Sequence, residues 1–148
     1  MLYRSTLAAL AALVGACVAC DSRHSSSAFH LPSGGDVDRG KTAFVELGCH
    51  SCHEVTGADL PAPSVHPAVP VTLGGEVDQR LSDAYLVTSM LDPSYQLAPY
   101  PRDQITSGGK SRMPGYAGKM NTQQMIDIVA FLQSRYYVRR WSPPYVYN

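Results

Sequence analysis

Apolar positions recur at three- and four-residue spacing from Val37 through Gly40, Ala43 and Phe44 to Leu47, the period of an amphipathic helix. Asp36 or Asp38 can cap this stripe and Gly48 stops it, directly ahead of Cys49. A second helix is expected from a Ser82 cap through Leu91, with Leu81, Tyr85, Leu86 and Met90 apolar and Pro93 as terminator. A third opens at the capping pair Asn121 and Gln124. There Met125, Ile128, Val129 and Leu132 form one stripe that Ile126 and Phe131 widen. Between the helices, residues 55–79 hold Pro61, Pro63, Pro67 and Pro70 without a sustained period, and residues 94–120 read as loop. No strand pattern or repeat stands out, so the expectation is an all-α domain.

The N-terminus follows a different rule. Residues 5–20 form an apolar run after Arg4 that stops at Asp21, a positive n-region followed by a short h-region. Its length falls below the roughly 20 residues a membrane-spanning helix needs. The run ends in Val14-Gly15-Ala16-Cys17, which resembles a bacterial lipobox, cut before a cysteine that then carries lipid. By that resemblance residues 1–16 are a signal and Cys17 is lipidated, with Cys20 as the alternative site; an ordinary cleaved signal is the plainer reading. The rest of the chain is then exported, to the periplasmic face of a bacterial membrane. Residues 17–36, rich in serine with Pro32, Gly34 and Gly35, read as a flexible tether.

The chain has 148 residues, enough for one domain plus extra sequence. Its 12 basic and 12 acidic side chains give no overall basic footprint for phosphate backbones, so nucleic acid is not an expected partner. The neutral total conceals an asymmetry. From residue 17 to 79 three basic residues face eight acidic ones, whereas from residue 80 to 148 eight basic face four acidic. Arg102, Lys110, Arg112 and Lys119 bracket Met113, which predicts a basic rim that steers acidic partners. Beyond Arg135, residues 136–148 form a tail holding Tyr136, Tyr137, Trp141, Tyr145 and Tyr147, suited to packing on the chain's own surface or to an interface.

The chemistry lies in Cys49-His50-Ser51-Cys52-His53, a Cys-X-X-Cys-His sequence that signals c-type haem attachment. Two thiols one helical turn apart can each add to a haem vinyl group, and the adjacent imidazole then meets the iron. Three rivals use the same residues: a thioredoxin-like dithiol, which wants a βαβ context; a zinc site from Cys49, Cys52, His53 and His66; and a Cys49–Cys52 disulfide. A sixth iron ligand is offered by Met113 in Arg112-Met113-Pro114-Gly115-Tyr116, a loop with no helix face to bury a methionine. Met90 and Met125 fall on helical stripes and read as core; Met120 and His66 are lesser candidates.

On these motifs, residues 37–135 resemble the monohaem class I cytochrome c family. The resemblance implies a small all-α cytochrome c fold, three to four helices around one covalently bound haem c. It implies that the first and last helices cross at Gly40, Phe44 and Phe131. It implies that a proline carbonyl orients the histidine, with Pro70, which precedes Val71-Thr72-Leu73 in the sequence, the best match and Pro61, Pro63 and Pro67 its competitors. Arg80 and Tyr85 resemble propionate contacts. With both axial positions filled, no iron site remains for a small-molecule substrate, so the expected role is one-electron transfer between redox proteins rather than catalysis. A permanent haem subunit of a larger respiratory or dehydrogenase complex is the alternative, and a haem sensor or small peroxidase would need an open sixth position.

Overall fold

The computed structural model describes residues 29–139. Helix α1 spans Val37–Glu46; the Asp36 side chain accepts from the Arg39 amide, and Gly48, at φ 73°, takes the left-handed turn that ends it. Helix α2, Asp83–Leu91, starts where the Ser82 hydroxyl accepts from the Tyr85 amide. The short α3, Arg102–Ile105, follows Pro101. Helix α4, Thr122–Gln133, opens on a reciprocal capping box between Asn121 and Gln124.

Helices α1 and α4 make the principal contact of the core. A Cβ on Gly40 would overlap the Asp127 carbonyl oxygen, so only glycine lets the two backbones touch. Beside that contact the Phe44 and Phe131 rings meet edge to face at 5.7 Å between centroids. Both rings are buried, with Ile128, Val129 and Leu132 from α4 and Leu86, Val87 and Met90 from α2. This confirms the crossing that the family resemblance implied.

The domain also carries short strands that period-2 patterning does not reveal. Strand β1, Gly75–Val77, pairs in parallel with β4, Tyr136–Val138, and β2, Thr106–Ser107, pairs antiparallel with β3, Lys110–Ser111. Residues 94–120 are therefore not all loop. Tyr136 is buried, so the segment read as a tail begins as part of the domain; Trp141, Tyr145 and Tyr147 lie outside the described residues.

At the other end, the Leu31 amide donates to Asp83 Oδ2 at 3.1 Å and Gly35 lies against Ile126 and Ala130. The segment expected to be free as far as residue 36 is thus packed on α2 and α4 from Leu31 onward. Cys17 and Cys20 lie outside the described residues.

Candidate functional site

The left-handed Gly48 turns the chain out of α1 into a tight 3-10 turn, Cys49–Ser51. The Cys52 and His53 amides both donate to the Cys49 carbonyl, at 3.2 and 3.1 Å. That wrap places two thiols and an imidazole on a single turn. Cys49 and Cys52 are free thiols, which removes the disulfide reading. Burial pushes the Cys49 thiol above its ordinary value, and the neighbouring Tyr116 hydroxyl pulls it the other way. Among the described residues no three His, Cys, Asp or Glu side chains converge on a common metal position, and His66 is exposed in the irregular segment between Val55 and Leu73. The zinc reading has no geometric support.

His53 Nδ1 donates to the Val71 carbonyl at 3.0 Å. The orienting carbonyl is therefore that of Val71, not of Pro70, which is exposed. The reason is the register of the returning chain. The Leu73 amide donates to the Glu54 carbonyl and the Thr56 amide to the Leu73 carbonyl, both at 2.8 Å, so Val55 and Leu73 bridge in parallel. This clamp beside the motif turns Val71 toward the ring. With its proton on Nδ1, the imidazole keeps Nε2 as a bare lone pair, the form that ligates iron.

Met113 stands at the end of the β2–β3 hairpin. Its amide donates to Ser111 Oγ at 3.1 Å, and the Arg112 amide to the Ile105 carbonyl at 2.9 Å. On the far side the Tyr116 amide donates to the Met90 carbonyl at 2.8 Å, and the Tyr116 hydroxyl to the Leu47 carbonyl at 3.1 Å. The loop is thus tied to the residue that caps α1, two positions before Cys49. Met90 is in the core, and Met120 and Met125 pack against it. Met113 alone among the described methionines is half-buried yet outside that cluster.

Arg80 is not left free for a propionate. Its guanidinium donates to the carbonyls of Tyr136, at 3.2 Å, and Gln133, at 3.5 Å, so it caps the C-terminal end of α4. Tyr85 is half-buried against the core. Arg102, Lys110, Arg112 and Lys119 are all exposed, and none pairs with an acid among the described residues. Sequence reasoning did not assign a role to the Tyr116 hydroxyl or the Leu47 carbonyl; a tyrosine three residues after Met113 is the only signal that pointed there.

The donor set fits a covalently held haem: two unpaired thiols at the attachment spacing, an imidazole whose tautomer is fixed, and a methionine sulfur that the core does not use. A family model described as Cytochrome c matches residues 37–135. No curated protein and no solved structure matches the chain.

Proposed function

Because the chain belongs to the cytochrome c family, which binds covalently attached haem c, we propose that it is a one-electron carrier in which Cys49 and Cys52 hold the haem by thioethers and His53 and Met113 are its axial ligands. The observation that supports the reading is the loop of Met113, tied through Tyr116 to Leu47 just ahead of the attachment turn, with Met113 itself outside the core cluster. When bound, the haem supplies a one-electron couple at its iron, with a potential raised by a methionine ligand relative to a second histidine.

The protein's part is positioning. The Val71 carbonyl fixes the ring of His53 and increases its donor strength. Phe44, Phe131 and the α1–α4 contact hold the base of the attachment turn rigid. Two protein ligands exclude water and substrates from the iron, which favours a carrier over an enzyme. The exposed Arg102, Lys110, Arg112 and Lys119 would draw an acidic redox partner toward the Met113 side.

The reading extends to location. Lipidation at Cys17, or at Cys20, would hold the domain at the periplasmic face of a membrane. Fourteen residues from Cys17 to Leu31 reach at most about 50 Å when extended, so the head would stay near the surface.

Absorption spectra of the oxidised protein test the ligand assignment. The methionine-sulfur-to-iron charge-transfer band should vanish in Met113→Ala and persist in Met120→Ala. A high-spin wild type would overturn it.

A further inference from the structure

Met113 is held unequally on its two sides. Upstream, its amide rests on Ser111 Oγ, the Arg112 amide on the Ile105 carbonyl of the short α3 and the Ser111 amide on Ser94 Oγ, none of them part of the buried core. Downstream, the loop meets α2 and the end of α1 at Gly115 and Tyr116. A Cβ on Gly115 would come within 2.9 Å of the Leu91 carbonyl oxygen, so the loop lies flat on the end of α2. The Tyr116 amide donates to Met90 there, and its hydroxyl reaches across 69 positions of sequence to the Leu47 carbonyl. Leu47 follows the last turn of α1, where carbonyls have no partner within the helix. One side chain thus joins the methionine loop to the turn that carries Cys49, Cys52 and His53.

We propose that Tyr116 is a positioning residue for the iron's methionine ligand, its hydroxyl bond to Leu47 keeping the Met113 loop closed against the attachment turn. This rests on Met113 being the axial ligand. Without the hydroxyl, the loop would remain attached at the Tyr116 amide but lose its tie to α1. The methionine-off state, a local opening, would then be more populated while the core stayed intact.

The test uses the full mature holoprotein and imidazole as a competing iron ligand, read in every protein by the shift of the main haem absorption band on imidazole binding, and by loss of the charge-transfer band where Met113 is present. Tyr116→Phe keeps the ring and removes the hydroxyl. Its apparent imidazole affinity should rise about five-fold, the equivalent of roughly 1 kcal/mol for one net hydrogen bond. In a Met113→Ala background the same substitution should leave imidazole affinity unchanged, because no methionine competes there. Equal affinity in wild type and Tyr116→Phe, or the same increase in both backgrounds, would overturn the inference. If Met113→Ala keeps the charge-transfer band, the ligand assignment itself is wrong and this inference falls with it. Should Tyr116→Phe fail to load haem, nuclear Overhauser spectra of the wild type decide. A contact between the Tyr116 hydroxyl proton and the Leu47 α-proton is expected, and its absence overturns the inference.

Discussion

His53 Nδ1 and the carbonyl oxygen of Val71 stand 3.0 Å apart, and this bond fixes which imidazole nitrogen keeps its lone pair. The acceptor belongs to the main chain and depends on the Val55–Leu73 bridge rather than on any side chain near it. Pro70→Ala should therefore leave the haem spectrum and the reduction potential unchanged. Thr56→Pro, which deletes the amide that donates to Leu73, should disturb both. Absorption spectra and redox titrations of the two variants check this.

Gly40→Ala places a methyl group where the Asp127 carbonyl oxygen already lies. The α1–α4 contact must open, with an expected cost of about 2–3 kcal/mol, the upper range for overpacking. Thermal unfolding of the holoprotein, with the charge-transfer band followed in parallel, should show a clear fall in Tm. An unchanged Tm would mean that the two helices can separate without penalty.

Asp127 is 3% exposed and accepts hydrogen bonds from Arg39, from the Asp36 amide and from Gln123. The Arg39 bond above all, then the Asp36 amide, lowers its pKa from 3.8 to about 2. The folded state depresses this pKa, so its contribution is complete above the unfolded value and lost as pH falls from about 4 toward 2. Denaturant unfolding should show stability flat above about pH 5 and declining below about pH 4. Asp127→Asn should be less stable at neutral pH and show a shallower acid decline.

How far the chain's pattern foretold this arrangement varies with the range of the interactions. Helices α1, α2 and α4 were legible because their caps are local: Asp36 with Arg39, Ser82 with Tyr85, Asn121 with Gln124. The attachment turn was legible for the same reason, as five consecutive residues. Strand β1 pairs with β4 across about 60 positions, and its three residues are too short to show a period. The choice of Val71 over Pro70 depends on a bridge between Val55 and Leu73, and the capture of Arg80 on where α4 ends. Such features belong to tertiary register, which single residues do not display.

Arg102, Lys110, Arg112 and Lys119 should govern association with an acidic redox partner. Their effect is screened over a Debye length of about 8 Å at physiological salt. The second-order rate of electron transfer should fall by roughly an order of magnitude between low and high ionic strength. Replacing Lys110 and Arg112 with Glu should flatten that dependence and slow the reaction at low salt. A rate indifferent to salt in the wild type would dismiss the rim.

An optical redox titration of the purified protein, after extraction of any non-covalent haem, bears most directly on the proposed role. The account predicts one Nernstian wave of a single electron, from haem that resists extraction and remains low-spin in both oxidation states. Cys49 and Cys52 thiols that still react with a thiol reagent, extractable haem, or a high-spin form at either end would contradict it.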